Sequence, residues 1–396
     1  MATKAGFDPA MYQRIQMARR MELARLAIRR MQQAQLPPAA VASGSGAAGA
    51  AGGGEAPAPA EYVEFTVSCE YRQLEPDQQH GAVLRVNGAK HEFGETITAQ
   101  KGQAVELEVS VEGNDDASFT EWSNGEKTPA IQFTAGSADA ITAYVVKIGV
   151  EENPVKVRDY MALEKLRDEV NLSGDCKEGV YYKQESDIDM DGVDWDGIGL
   201  KTGDGPDLAH TFKGVYDGNG RSIKNLKFMY EEGGDNELRG LFTSAAGAVI
   251  RNVNLSVNGF DVDADSYDGK KFGAGAIVGT TCNGLSVENC VASGFLGTDD
   301  VPCAHTTAGI LANVDFTNNK ASRGSILIKD CVSKVDIKTT RKGAGIVGFV
   351  MDDITLANVR NEGSVARVDP KHQERISDAT RDEGAAGIVS YGQSNQ

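Results

Sequence analysis

The chain has 396 residues, of which 40% are hydrophobic and 24% are charged; this ordinary composition leaves room for two or three domains with separate cores. Its formal net charge of −17 disfavours nucleic-acid binding by most of the molecule, because phosphate backbones attract basic surfaces. No uninterrupted apolar run reaches the length of a membrane span, so we expect no transmembrane segment.

The cysteines and histidines are not arranged as metal ligands. The six cysteines include no CxxC pair, and the five histidines are scattered along the chain. These patterns predict free thiols, no zinc site and no cofactor. The N-terminal stretch MATKAGFDPAMYQRIQMARR lacks the apolar core and cleavage site of a secretory signal, so we expect the protein to stay in the cytoplasm or to leave it within a particle assembled there.

Residues 8–35 are predicted to form one α-helix, with Asp8 as its N-cap and Pro9 in its first turn. Apolar residues recur in alternating steps of four and three residues, and arginines cover much of the remaining surface. We interpret residues 1–36 as a basic helical anchor that binds a partner, rather than as a solvated helix end. Nucleic acid, an anionic membrane and an acidic protein pocket are each chemically compatible with it. The anchor residues are predicted to be Arg14, Met17, Arg20, Met21, Arg25, Ile28 and Arg29.

Residues 37–60 are rich in Ala, Gly and Pro and predict a flexible linker.

Residues 61–150 predict a small β domain, because apolar residues alternate in YVEFTVSCEY and AVELEVSV and because RVNGAK contains an Asn-Gly hairpin turn. The stretch FTEWSNGEKTPAIQFTAGSADAITAYV resembles the divergent internalin-type bacterial repeat. This resemblance implies an Ig-like or β-sandwich-type fold and a packing role for Trp122, with sugar stacking as the alternative role.

Residues 151–396 begin with a predicted helix, RDYMALEKLRDEVN, and then repeat. The helix is predicted to place Met161, Leu163, Leu166 and Val170 mostly on one face. Each period contains a Gly followed by apolar residues, then a segment of the type IKNL, IRNV, VENC, IKDC or LANV, then a third strand-like piece. Three short strands per period predict the coils of a parallel β-helix. The repeated glycines are Gly240, Gly275, Gly309, Gly345 and Gly387.

The third position of the IKNL-type segment is always Asn or Asp. We predict that these residues stack as a structural ladder at a bend, where amides bond to each other and to turn backbone. The ladder residues are Asn225, Asn252, Asn289, Asp330 and Asn358. The first positions predict a buried column of Ile223, Ile250, Val287, Ile328 and Leu356. The fourth positions predict a second buried column of Leu226, Val253, Cys290, Cys331 and Val359.

The glycine-rich stretch YDGNGRSIKNL is interpreted as a corner and a strand, since a phosphate loop would need a helix directly after its glycines.

Taken in order, YYKQESDIDMDGVDWDGIG, FKGVYDGNGRSIKNLKF and RGLF resemble the GLUG-motif repeat proteins of bacteria and their phages. The resemblance runs from about residue 158 to the end. It implies a right-handed parallel β-helix in an adhesin-like or appendage module.

Two acidic patterns in the sequence resemble sites of chemistry. The segment DIDMDG, with Asp187, Asp189 and Asp191, matches the first half of a calcium loop, but the twelfth position is Ile198 instead of Glu. Paired carboxylates cleave polysaccharides in some enzymes, but the candidates here lie in turns without an aromatic groove, which favours a protein that is not an enzyme. These candidates are Asp261, Asp263, Asp265, Asp268, Asp299, Asp300, Asp352 and Asp353.

Together these features predict a non-enzymatic phage appendage, a head or tail fibre component located in the virion. Its helix is expected to bind a capsid or tail protein of the same particle, and its β-helix is expected to contact host-surface glycans. We also expect a homo-oligomer, with a trimer among the arrangements considered. The alternatives are a bacterial adhesin at the cell surface and a polysaccharide depolymerase spike.

Overall fold

The computed structural model describes residues 60–202, 205–230, 237–262, 272–315, 324–368 and 385–392. These residues lie mainly in β-strands, which confirms the predicted mainly-β class. The helix predicted within residues 1–36, and nearly all of the predicted linker, lie outside the described residues. The described strands fall into an N-terminal part with mostly antiparallel pairing and a C-terminal part with mostly parallel pairing.

The N-terminal part contains two four-stranded sheets. Its strands are β1 (Tyr62–Arg72), β2 (Ala82–Val86), β3 (Ala89–His91), β4 (Thr96–Gln100), β5 (Ala104–Val111), β6 (Ala117–Trp122), β7 (Ala130–Thr134) and β8 (Ala140–Lys147). The strand orders are β4-β1-β8-β6 and β3-β2-β5-β7. A short 3₁₀ helix spans Pro76–Gln78. Strand β6 is an edge strand, with β8 as its neighbour in the sheet.

Side chains from both sheets form one core. The rings of Phe65 on β1 and Phe133 on β7 lie 4.7 Å apart, and Trp122 is fully buried, which fits the packing role predicted for it and leaves no ring face for a sugar. The predicted Asn-Gly hairpin is confirmed: Asn87 and Gly88 both have positive φ between the antiparallel strands β2 and β3.

Helix α1 (Tyr160–Ser173) begins the C-terminal part. The Asp159 side chain caps it by accepting a 3.0 Å hydrogen bond from the Ala162 amide, and the left-handed Gly174 ends it. Leu163, Leu166 and Val170 are buried as predicted. Met161 is 59% exposed, so its predicted place on the buried face is wrong; it lies about 200° around the helix axis from Leu163, at 3.6 residues per turn.

Most of the C-terminal part consists of three parallel sheets. The seven-stranded sheet contains β9 (Val155–Val157), β10 (Tyr181–Gln184), β15 (Val215–Asp217), β19 (Ala248–Arg251), β23 (Leu285–Glu288), β27 (Ile326–Lys329) and β31 (Ile354–Ala357). The eight-stranded sheet contains β11 (Ile188–Asp189), β12 (Asp194–Trp195), β16 (Ser222–Phe228), β20 (Asn254–Phe260), β24 (Val291–Leu296), β28 (Val332–Thr339), β32 (Arg360–Asn361) and β33 (Val365–Arg367). The five-stranded sheet contains β18 (Phe242–Ala245), β22 (Val278–Thr281), β26 (Leu311–Val314), β30 (Val347–Val350) and β35 (Val389–Gly392).

Shorter strands complete the connections between these sheets. They are β13 (Lys201–Thr202), β14 (Gly205–Pro206), β17 (Glu237–Arg239), β21 (Phe272–Ala274), β25 (Thr307–Ala308), β29 (Gly343–Ala344) and β34 (Ala385–Ala386). In all three large sheets, strands at the same place in successive repeats pair in parallel. The predicted repeat therefore corresponds to real pairing from the second period onward.

The first period is paired differently from the prediction. Ile223 pairs with Leu255 in the eight-stranded sheet, whereas Ile250 pairs with Tyr216 in the seven-stranded one. Tyr216 therefore replaces Ile223 in the first buried column, and Leu226, which pairs with Val257, is not in the column of Cys290 and Cys331. The physical reason is the corner between Asp217 and Ser222, which is longer than the corresponding corner between Arg251 and Asn254.

Candidate functional site

The ladder was predicted from five positions, and the structure places four of them in one column. Asn252, Asn289, Asp330 and Asn358 each follow a strand of the seven-stranded sheet, and each has a left-handed backbone with φ between 50° and 55°. Asn and Asp tolerate this conformation better than other residues with side chains. The Asn289 amide donates to Asn252 Oδ1 at 2.8 Å, and the Asn358 amide donates to Asp330 Oδ1 at 2.7 Å.

Asn225 does not belong to this column. It lies within β16, where its side chain donates to Asp189 Oδ1 at 2.9 Å and accepts from the Asn258 amide at 3.3 Å. Its backbone is left-handed too, with φ of 58°. The same local conformation therefore produces the same sequence pattern in two different sheets, which explains why the predicted assignment of Asn225 is wrong.

At the start of the ladder, Asp217 ends β15 and pairs in register with Arg251, the residue before Asn252. Its carboxylate accepts hydrogen bonds from Asn252 Nδ2 at 2.8 Å, from the backbone N–H of Asn219 at 2.8 Å and from the Tyr181 hydroxyl at 2.9 Å. The Arg251 guanidinium adds an ion pair at 3.1 Å. Burial alone would raise the pKa of Asp217, but these donors outweigh it and hold the pKa below its ordinary value.

The same cluster affects its other members. Burial, followed by the hydrogen bond to Asp217, raises the pKa of Tyr181 to about 12. Arg251 also pairs with Glu151 at 2.8 Å. Every charge in this cluster thus has a counter-charge or a hydrogen bond, so the arrangement can stabilise the corner.

The segment DIDMDG, which matches the first half of a calcium loop, uses two of its carboxylates to accept hydrogen bonds from backbone amides. Asp187 Oδ1 accepts the Ser222 amide at 2.9 Å, and Asp189 Oδ1 accepts the Asp191 amide at 3.0 Å. Among the described residues, no three His, Cys, Asp or Glu side chains come together in a way that could hold a metal ion.

Among the described residues, the candidate carboxylates for polysaccharide cleavage lie at separate turns. Asp261 pairs with Lys227, and Asp299 pairs with Lys338 at 3.2 Å. The Asp353 amide donates to the Asp352 carboxylate at 2.8 Å. Residues 263–271, which include Asp263, Asp265 and Asp268, lie outside the described residues, as does the whole anchor segment 1–36.

A groove with a volume of about 350 Å³ lies where the N-terminal part meets the C-terminal part. One side is formed by four consecutive residues of the edge strand β6, Ser118–Glu121. The other lining residues are Lys127, Glu152, Asn153, Pro154 and Lys156. We call this feature the junction groove.

A β-bulge shapes the β6 side of the junction groove. Phe119 pairs with Val145 and Glu121 pairs with Tyr144, so Thr120 is an extra residue in β6. Bulges of this kind redirect side chains and are frequent beside binding sites. The Thr120 hydroxyl donates to the Tyr144 carbonyl at 3.3 Å, which holds the bulge in place.

The junction groove could not be found in the sequence. Its two lining segments are separated by more than twenty residues and lie on either side of the boundary predicted at residue 150. The groove also depends on contacts across that boundary: the Asn153 amide donates to Ser118 Oγ at 3.0 Å and to the Val146 carbonyl at 2.8 Å. Only the isolated Phe119 among polar neighbours is visible as a weak signal.

Comparison of the chain with known protein families, with curated proteins and with solved structures found no match. Within the described residues, no helix has the length and apolar character needed to cross a membrane.

Proposed function

We propose that the protein is a non-enzymatic appendage module in which a small Ig-like β-sandwich is followed by a right-handed parallel β-helix. The parallel register between successive repeats supports the β-helix, and connections between parallel strands of one sheet are almost always right-handed. Two sheets that share one core support the sandwich.

The repeated corner is the observation that carries this proposal. At each corner a left-handed Asn or Asp turns the chain between the same two sheets, and its amide or carboxylate bonds to a side chain of a neighbouring repeat. The buried column of Tyr216, Ile250, Val287 and Ile328 lies beside these corners. Such a stack uses its inward and corner residues for architecture, so recognition falls to outward surfaces and junctions.

In the proposed assembly, residues 1–36 bind a capsid or tail protein, the following linker acts as a tether, and the β domains project from a phage head or tail. The basic excess of residues 1–36 on an acidic chain supports a docking role for that segment. We propose that several copies contact host-surface glycans, because avidity converts weak single contacts into stable attachment.

The test is to delete residues 1–36 and to analyse purified phage particles by mass spectrometry. The full chain should be found in the particles, and the truncated chain should remain folded but absent from them. Incorporation of the truncated chain would contradict the anchor. Absence of the full chain from particles, together with its presence on bacterial surfaces, would favour the adhesin alternative.

A second experiment addresses the enzyme alternative. Purified protein is incubated with host capsule and surface polysaccharide, and new reducing ends or unsaturated products are measured. We expect binding without turnover. Catalytic turnover would establish a depolymerase and overturn the non-enzymatic proposal.

A further inference from the structure

We propose that Cys290 and Cys331 form a modification site, at which oxidation joins the two thiols in a disulfide between successive repeats. Both thiols are free in the structure, and both side chains are fully buried. The site lies in the interior of the stack, so this inference is independent of the proposed function.

Cys290 and Cys331 occupy the same place in successive repeats. Strands β23 and β27 pair in register before them, and Val291 pairs with Val332 directly after them. The backbone N–H of Val332 donates to the Cys290 carbonyl at 2.9 Å. Strands paired in this way lie roughly 4.8 Å apart, which is inside the range of Cα separations that a disulfide bridges, roughly 4.4 to 6.8 Å.

The two side chains meet between the repeats. Cys331 Sγ reaches into the preceding repeat, where it lies 3.5 Å from the carbonyl oxygen of Val287, three residues before Cys290. Each thiol is a hydrogen-bond partner of the other. A disulfide can therefore form by rotation of the two side chains, without a change in the pairing of the flanking strands.

The hydrogen bond makes the two thiols unequal. Donation from Cys290 lowers the pKa of Cys331 below its ordinary value. Burial, followed by the same hydrogen bond, raises the pKa of Cys290. Because the thiolate is the nucleophile in thiol oxidation, Cys331 is the thiol that attacks an oxidant, and Cys290 is the thiol that resolves the product.

The route to Cys331 lies on the side of the following repeat. The backbone N–H of Arg360 donates to the Cys331 carbonyl at 3.0 Å, which places Val359 next in the column. Val359 is half-buried, whereas Val253, on the opposite side of the two cysteines, is fully buried. Local opening on the Val359 side therefore exposes Cys331 before Cys290.

Hydrogen peroxide is small enough to enter through such an opening and serves as the oxidant. Its O–O bond breaks when the Cys331 thiolate attacks one oxygen, which gives a sulfenic acid and releases hydroxide. The Cys290 sulfur then attacks the sulfenic sulfur. The S–S bond forms, the S–O bond breaks, and the oxygen leaves as water with the Cys290 proton. In total, two thiols lose two electrons and two protons, and one peroxide becomes two water molecules.

The disulfide closes a loop that contains one complete repeat. In the chain-entropy account, a cross-link stabilises a protein by restricting its unfolded chain, and more so for a longer loop. We expect the oxidised protein to unfold at a urea midpoint that is higher by on the order of 1 M.

The test incubates the purified full chain with hydrogen peroxide, alkylates the remaining thiols in denaturant, and maps the peptides by mass spectrometry without reduction. We expect one linked pair of peptides that contains Cys290 and Cys331, lighter by two hydrogen atoms than the separate peptides and separated by dithiothreitol. Cys303 is the burial-matched control in the same molecule, because it is fully buried and its thiol bonds to Thr307 instead of to another thiol. It should remain reduced.

Valine occupies the same column at positions 253 and 359, so Cys290→Val and Cys331→Val are matched to the packing of the site. Neither variant should form the linkage or change its urea midpoint on treatment with peroxide. Cys290→Val leaves Cys331 without a resolving thiol, so its sulfenic acid should be trapped by dimedone. Cys331→Val should give no trapped product at Cys290.

Two results overturn the modification site. They are the absence of the linkage in the folded protein and linkage of Cys303 at the same yield, which would report unfolding instead. An unchanged urea midpoint of the linked protein overturns its stabilising role, and equal trapping in both valine variants overturns the assignment of Cys331 as the attacking thiol. The particle experiments do not depend on these thiols, so failure here leaves the proposed function standing.

Discussion

Asn289 donates a hydrogen bond from Nδ2 to Oδ1 of Asn252 at 2.8 Å, and both residues hold left-handed backbones at the same corner of successive repeats. The corner thus needs two properties of the residue, a tolerance of positive φ and an amide that reaches the next repeat. Substitutions at one position can separate these two properties.

We expect Asn289→Ala to lower the free energy of unfolding by about 2 kcal/mol, because it loses a hydrogen bond and places a Cβ-bearing residue without a local polar group at positive φ. Asn289→Gly loses the same hydrogen bond but adopts positive φ without strain. The glycine variant should therefore be the more stable of the two in urea unfolding. If alanine is tolerated as well as glycine, the left-handed backbone is not what selects asparagine here.

Glycines in the five-stranded sheet region allow close contact between neighbouring segments. A Cβ on Gly309 would overlap Ser333 Oγ and the Gly345 carbonyl oxygen, whereas a Cβ on Gly387 would meet nothing within 4 Å. We expect Gly309→Ala to destabilise the protein by about 3 kcal/mol, as overpacking of a tight interior does. Gly387→Ala is the matched control and should unfold at nearly the same urea concentration as the unmodified chain; equal effects of both variants would contradict the steric reason.

The sequence was enough to predict the repeats because local geometry and residue type coincide at the corners. A left-handed backbone selects Asn or Asp, and the flanking apolar residues are buried in columns. The same coincidence explains the wrong assignment of the first repeat: Asn225 and Asn252 both have left-handed backbones, but Asn225 lies within the eight-stranded sheet and Asn252 follows a strand of the seven-stranded sheet. Only long-range pairing distinguishes them, and pairing depends on the length of a corner rather than on its pattern.

The junction groove illustrates a different limit. Sequence patterns describe single elements, so they placed Phe119 in a small β domain but could not identify the segment that faces it. The bulge at Thr120 is equally hidden, since one extra residue in a short polar strand leaves no periodic signal. A site formed by two segments that are distant in the chain can be recognised only from the tertiary structure.

Arg167 is an unusual buried charge in helix α1. Its side chain is 3% exposed and pairs with Glu164 at 3.0 Å and with Asp196 at 3.3 Å. Arg167→Ala leaves these carboxylates buried without their cation, and we expect it to cost about 3 to 5 kcal/mol in chemical unfolding. Arg158, which is 62% exposed and pairs with Glu185, is the control: Arg158→Ala should cost less than about 1 kcal/mol. Similar costs for both variants would mean that the Arg167 cluster contributes no more than a surface pair.

The thiols provide a test of burial across the stack. Burial raises the pKa of Cys303 to about 12 and that of Cys282 to about 11, so at pH 8 both are protonated and shielded. We expect iodoacetamide to modify them only after unfolding in urea, as measured by mass spectrometry of peptides. Cys176, which is partly exposed, should react first in the native protein. Rapid native labelling of Cys303 would contradict its place in the interior.

Asp217 makes the stability of the folded protein depend on pH. Its folded pKa is lowered by four donors that include Arg251, so its contribution to stability is fully present above the unfolded carboxyl pKa of about 3.9. That contribution is lost as the pH falls through the lower, folded value. In Asp217→Asn the group no longer titrates, and the Arg251 ion pair is absent at every pH. We therefore expect the stability difference between the two proteins, measured by urea unfolding, to be largest near pH 6 and to shrink steadily below about pH 4. A difference that stays constant down to pH 2.5 would show that the carboxylate charge is not what the cluster uses.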